Sequence, residues 1–274
     1  MRFIAKLVIA AVALALCLPS LRAASLEIPA IQVVPIKDSA TEREYELYVK
    51  LPDDYDAEDA KSHPVIYIMD ALWHVEIISG SIEYLVEDAI LVGISWEKGL
   101  PPQLSRMRDY MANEYDGEGF DHPTGKADEH LAFIRDDVIE YVESEYKADS
   151  SRRTLYGYSV SGTFASYVLL TQPDLFKNYI IGSPATLFGD HFAHEYEPIA
   201  TAIPKSLDAN IFISVGSDEE AANIGNAISL VSFLKTKKTE RSDVRFRIIE
   251  SADHGQAFPI SAVESLYWLA ELPE

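Results

Sequence analysis

The chain has 274 residues, 48% of them hydrophobic, with 23 Lys or Arg against 44 Asp or Glu and a formal charge of −21. That length and apolar content suffice for one substantial core and force no division into several domains. The acidic balance opposes binding to nucleic acid or to anionic lipid and leaves small or neutral molecules as the expected partners.

The first residues read as a separate segment. Arg2 and Lys6 precede an apolar run from Leu7 to Leu18, followed by Pro19 and the small residues Ala23, Ala24 and Ser25, the layout of a cleavable export signal. The run is shorter than the roughly 20 residues that span a bilayer, so no membrane anchor is expected after cleavage. Leu16 disfavours lipid attachment at Cys17, because that processing prefers a small residue just before the cysteine. Cleavage after Ala23 removes Cys17, the only cysteine, and leaves 20 positive against 44 negative groups, or −24. A mature chain of this kind has no disulfide and no cysteine-ligated metal, and its expected location is periplasmic or secreted.

From about Leu26 onward no repeat, low-complexity stretch or flexible linker interrupts the chain, which predicts one catalytic domain over 26–274. Glu44 to Leu51 sets polar residues between Tyr45, Leu47 and Val49, as an early edge strand does, whereas Val65-Ile66-Tyr67-Ile68-Met69 is continuously apolar, as a strand covered on both faces is. Asp70 marks the end of that strand. A helix is expected from about His74 to Val86, then a buried strand at Ala89 to Ile94. Ser95 to Lys126 carries Pro101, Pro102, Gly117, Gly119 and Pro123 without periodicity and reads as a long loop on a substrate rim. Helical spacing resumes at Leu131, Ile134, Val138, Ile139 and Val142, followed by a strand from Arg153 to Gly157. Further strands are expected at Tyr179 to Ile181, Ile211 to Val215 and Val244 to Ile249, with helices near Leu187 to Ala200, Glu220 to Lys235 and Ile260 to Leu272. This βαβα order predicts a mostly parallel sheet with helices on both faces and catalytic groups at the carboxyl ends of its strands.

The segment Gly157-Tyr158-Ser159-Val160-Ser161-Gly162 lies between a strand and a helix, the setting of a nucleophile elbow. A serine held in such a turn needs small neighbours two positions before and after it, here Gly157 and Ser161. Serine also needs a base, normally a histidine oriented by a carboxylate. His254 follows the last expected strand in Glu250-Ser251-Ala252-Asp253-His254-Gly255, read as a loop. His63 stands at the wrong end of its strand, and His74, His122 and His130 precede the elbow, against the chain order of nucleophile, acid and base. His191, His194 and Glu195 form His-x-x-His-Glu, which lacks the helical zinc pattern, so no metal is expected. After the strand ending at Gly216, Asp218, Glu219 and Glu220 compete as the acid; Glu219 is preferred, Asp218 comes second, and an acidic helix start explains such residues as well. The oxyanion donors are expected from the N–H of Val160 and from the turn Asp70-Ala71-Leu72, through Leu72 or alternatively Ala71.

These residues resemble an esterase family of the α/β-hydrolase superfamily, the group that includes enterochelin-type siderophore esterases, esterase D and the antigen 85 mycolyltransferases. The likeness rests on Val65 to Asp70, on Leu91-Val92-Gly93-Ile94 with Arg108-Asp109-Tyr110, on the elbow and its helix, and on Gln172-Pro173-Asp174-Leu175-Phe176 and Ser183-Pro184. It spans roughly residues 43 to 270 and implies the α/β-hydrolase fold, roles for Ser159 and His254 as nucleophile and base, and Glu219 as the acid. Two departures stand out: Ala71 replaces a frequent glycine beside the oxyanion hole, and Ser161 replaces the second glycine of the elbow. The expected activity is serine-dependent hydrolysis of a small-molecule carboxylic ester without a cofactor, siderophore esters among the candidates. Acyl transfer to an alcohol or sugar, and a non-catalytic binding module on the same scaffold, are the alternatives.

Overall fold

The computed structural model describes residues 30–115, 121–185 and 207–273. The expected export segment at 1–23 with Cys17, the His191, His194 and Glu195 group, and the helix expected near Leu187 to Ala200 lie outside the described residues. Eight strands, β1 (Ile31–Lys37), β2 (Glu44–Lys50), β3 (His63–Ile68), β4 (Ile90–Ile94), β5 (Ala148–Tyr158), β6 (Asn178–Gly182), β7 (Asn210–Gly216) and β8 (Val244–Ile249), form one sheet in the order β1-β2-β4-β3-β5-β6-β7-β8. β1 and β2 run antiparallel to their neighbours, and every pairing from β4 to β8 is parallel.

The helices are α1 (Ala71–Leu85), α2 (Pro102–Asp109), α3 (Ala127–Phe133), α4 (Glu140–Glu145), α5 (Val160–Thr171), α6 (Ala221–Lys237) and α7 (His254–Glu271), with a π-helical stretch, Ile134–Ile139, joining α3 to α4. Because strand side chains alternate between faces, β3 sends Val65 and Tyr67 to one core and Ile66 and Ile68 to the other. The first core is closed by the α3 to α4 run, α5 and α6 through residues such as Leu131, Phe164 and Leu230. The second is closed by α1 and α7 through Val75, Ile78, Ile82, Leu266 and Trp268. This is the mostly parallel sheet with helices on both faces that the pattern of elements predicts, and the α/β-hydrolase fold that the family resemblance implies.

Three expectations need correction. β2 is an inner strand, because β1 pairs along its whole length, from Ile31 with Lys50 to Lys37 with Glu44. β1 carries Pro35, which an edge strand tolerates because a proline costs no ladder bond on its open side. The expected loop from Ser95 to Lys126 contains α2, whose buried residues are Ser105, Arg108 and Asp109. A helix fixed by polar side chains leaves no apolar stripe to detect; the Pro101-Pro102 pair that starts it is its one local signal. Finally, His254 lies not in a loop but in the first turn of α7, six residues before the expected start, with Asp253 and Gln256 forming a reciprocal capping box.

Candidate active site

In the sheet order β4-β3-β5-β6, the chain leaves β3 toward one edge and β5 toward the other, so the carboxyl ends of these two neighbours border the crevice where such sheets bind ligands. Asp70 to Leu72 follow β3 and Ser159 follows β5, one on each side of that crevice.

Ser159 has φ 62° and ψ −126°, a backbone conformation rare for a side-chain-bearing residue. Strain of this kind, of order 1–3 kcal/mol, persists where the surroundings over-determine it. Here the Ser159 N–H donates to the Gly182 carbonyl at 2.9 Å, and its own carbonyl accepts from Thr163 N–H at 3.0 Å and Ala185 N–H at 3.3 Å. A Cβ on Gly157 would collide with the backbone carbonyl of Ser161, and one on Gly162 would come within 2.6 Å of the Gly182 oxygen. Ser161 fits in place of a second glycine because its hydroxyl has work inside the turn: it accepts from Tyr158 N–H at 3.0 Å and donates to the Tyr158 carbonyl at 2.8 Å.

His254 reaches Ser159 from the α7 side. The Ser159 hydroxyl lies 2.8 Å from His254 Nε2, and His254 Nδ1 lies 2.7 Å from Glu219 Oε2. A carboxylate only accepts, so Nδ1 carries the proton and Nε2 faces the serine as an acceptor. The Tyr158 hydroxyl donates to the His254 carbonyl at 2.6 Å and its ring packs against the imidazole at 5.3 Å, which fixes the start of α7 over the elbow.

Glu219 lies in the turn between β7 and α6, its side chain fully buried. Besides His254, its carboxylate accepts from Ser183 Oγ at 2.6 Å, Gly216 N–H at 2.8 Å and Asn223 Nδ2 at 3.2 Å. Burial alone would raise its pKa, but the hydrogen bonds from His254, Ser183 and Gly216, with the attraction of the imidazole, outweigh that and hold it at about 2. Its rivals point elsewhere: exposed Asp218 accepts from Ser217 Oγ at 2.9 Å, and exposed Glu220 is the N-cap residue of α6. Sequence reasoning did not assign roles to Ser183, at φ 38°, or to Asn223. Ser183 has a signal in the Ser183-Pro184 pair after β6, whereas Asn223, in the first turn of α6, has none.

Val160 is the first residue of α5, and Ala71 and Leu72 are the first two of α1. Leu72 therefore sits in a helix rather than in a connecting loop. First-turn N–H groups have no acceptor within their own helix, so Val160 and Leu72 offer donors from both sides of the crevice. Ala71 fits where the resembled family frequently has a glycine because β4 provides the space: a Cβ on Gly93 would approach that of Ala71 to 2.8 Å. His74, behind the turn, is buried with its ring on Phe258 at 4.5 Å and Nδ1 3.0 Å from the Met69 carbonyl. His130 is enclosed by Tyr45, Tyr110, Phe133 and Phe164, and burial lowers its pKa.

Comparison with known proteins agrees with this architecture. The chain is 26% identical over 210 residues to the ferri-bacillibactin esterase BesA of Bacillus subtilis (strain 168), an alignment covering 70% of this chain and 72% of that one. The fold is similar to that of the BES protein from Bacillus cereus, with a TM-score of 0.78, 19% identity, and 91% and 99% of the two chains covered. It is also similar to the siderophore hydrolase EstB from Aspergillus nidulans, with a TM-score of 0.74, 20% identity, and 92% and 99% covered. The model of the family described as "Putative esterase" matches residues 39–274, nearly the whole described domain, and the chain is a member of that esterase family.

Proposed function

We propose that this enzyme hydrolyses carboxylic esters through an acyl group carried on Ser159. The observation that carries the reading is the continuous line from Ser159 Oγ to His254 Nε2 at 2.8 Å and from His254 Nδ1 to Glu219 at 2.7 Å, ending on a serine in a strained turn. As Ser159 Oγ bonds to the ester carbonyl carbon, His254 Nε2 takes the hydroxyl proton and the carbonyl pair moves onto oxygen, where the Leu72 and Val160 N–H groups receive it. Collapse restores the carbonyl and breaks the bond to the alcohol oxygen, which leaves with the proton from His254. Water repeats the sequence with His254 as base, releasing the acid and regenerating Ser159. Glu219 holds the imidazole by Nδ1 and stabilises its charged form throughout.

A siderophore-type ester is the substrate class favoured, because the relative in Bacillus subtilis is a ferri-bacillibactin esterase and a structural neighbour is a siderophore hydrolase. The apolar segment behind Arg2 and Lys6 supports export of the domain to the periplasm or beyond, with cleavage after Ala23. A fluorophosphonate probe is expected to label Ser159 in the purified protein and to leave Ser159→Ala unlabelled. Turnover compared on ferric and apo catecholate triesters, a feruloyl ester and a short nitrophenyl ester should rank a catecholate triester first. Failure to turn over any of them, in a protein folded by circular dichroism, would remove the reading.

A further inference from the structure

Asp70 is the N-cap residue of α1, yet its side chain makes no capping hydrogen bond. An aspartate in that place ordinarily accepts from the N–H of the second or third helical residue, and here the second is Leu72, the oxyanion donor assigned above. The carboxylate is instead turned away and fully engaged. Arg106 grips it with both prongs of its guanidinium, Nε to Oδ1 at 2.9 Å and Nη2 to Oδ2 at 3.0 Å, while Trp96 Nε1 donates to Oδ1 at 2.7 Å. Asp70 is fully buried and its backbone is left-handed at φ 55° and ψ 42°.

Arg106 is itself fixed from two sides. The Trp73 ring lies 4.8 Å from its guanidinium carbon, and Trp73 packs edge-on against Trp96 at 4.6 Å. Helix α2, which carries Arg106, is tied down by the next basic residue along: Arg108 bonds to Asp109 at 2.7 and 2.8 Å, to Tyr45 of β2 at 3.1 Å, and to Glu97 beyond β4.

We propose that Arg106 and Trp96 are positioning residues that hold the Asp70 carboxylate off the Leu72 N–H, so that this donor is kept for the oxyanion. The inference rests on the ester-hydrolase reading above and adds to it a competitor inside the protein. Released from Arg106, a charged acceptor next to the start of α1 would swing toward the first-turn N–H groups, where the helix dipole attracts it. It would then occupy the donor that the transition state needs and repel the charge forming there. Because the donor acts on charge that develops during reaction, the loss should appear in kcat rather than in KM.

On a short nitrophenyl ester, Arg106→Gln is expected to lower kcat by about 10- to 100-fold with KM within about threefold, up to the lower limit of the roughly 10²- to 10³-fold range for losing one oxyanion donor outright. The double variant Asp70→Gly with Arg106→Gln should recover most of that loss, since glycine accepts the left-handed backbone and has no side chain to compete. A merely structural Arg106 would lower the melting temperature without such recovery, and a substrate-binding Arg106 would raise KM. Unchanged kcat in folded Arg106→Gln, a loss confined to KM, or no recovery in the double variant would each overturn the proposal. If either protein fails to fold, Trp96→Phe decides: a smaller kcat loss at constant KM supports the clamp, and unchanged kcat refutes it. Absence of turnover in the wild type overturns both the clamp and the esterase reading, whereas active wild type with fully active Arg106→Gln overturns the clamp alone.

Discussion

Glu219 stays ionised where burial alone would favour its neutral form, because His254, Ser183, Gly216 and Asn223 all donate to it. Glu219→Gln should therefore do more than remove a charge. A glutamine amide offers N–H to His254 Nδ1 and favours the tautomer with the proton on Nε2, which cannot accept from Ser159; kcat measured at saturating substrate should fall on the order of 10³- to 10⁴-fold. The same group sets an acid limit on stability. Its folded-state pKa of about 2 lies below the ordinary 4.5, so the unfolded chain takes up the proton first as pH falls. The stabilisation is complete above about pH 4.5 and lost between there and about pH 2, and the melting temperature of wild type should converge on that of Glu219→Gln across this interval. Ser159, His254 and the preference for Glu219 were legible because each stands beside a strand end, where the fold gathers its chemistry. The contacts of Ser183 and Asn223 were not, since each lies in a hydrogen bond to a residue 36 or 4 positions away: the Ser183-Pro184 pair marks a position after β6 but not its partner, and Asn223 carries no local mark.

At the level of elements, what was legible is what burial writes into a sequence. β3, β4, β6 and β7 are apolar on both faces and stand out as short hydrophobic runs, and the elbow is marked by a small-residue pattern between β5 and α5. β1 and α2 escaped because β1 is a half-exposed edge strand and α2 is anchored by Arg108 and Asp109 rather than by an apolar face. The start of α7 was missed because Pro259 sits inside it and interrupts the helical pattern, while the capping box that begins the helix at Asp253 is a polar signal. The glycines separate two kinds of element position. Gly80 in α1 and Gly225 in α6 have nothing within 4 Å of an added Cβ, and neither has a positive φ. Alanine at either site should stabilise by about 0.5–1 kcal/mol through helix propensity and a less flexible unfolded chain, a rise in melting temperature of roughly 1–4 °C for a domain of this size. Gly157→Ala, by contrast, drives a methyl into the Ser161 carbonyl and should depress both melting temperature and turnover. A calorimetric scan of the three variants checks the contrast, and a Gly157→Ala protein as stable as wild type would show that the elbow relaxes freely.

The whole molecule carries a formal charge of −21, or −24 counted without the first 23 residues, and that charge bears on which ester it can approach. Ferric catecholate siderophores are multiply anionic, so at low ionic strength the field of the protein should slow their encounter, while a neutral nitrophenyl ester feels no such barrier. Salt shortens the reach of the field from about 30 Å at 0.01 M to about 8 Å at 0.15 M. Among the cations near the crevice, Arg106 is already matched by Asp70 and provides little local attraction. The kcat/KM for a ferric catecholate ester, divided by that for the neutral ester, should therefore rise several-fold between low and physiological salt. The division matters because added salt also relieves self-repulsion within the fold and would change both rates together. If the ratio instead falls, the cleft carries a positive local field strong enough to override the net charge, and basic side chains within it must be guiding the substrate. If the ratio is flat while the neutral ester is the better substrate, the siderophore assignment loses its support and an uncharged ester becomes the substrate to pursue.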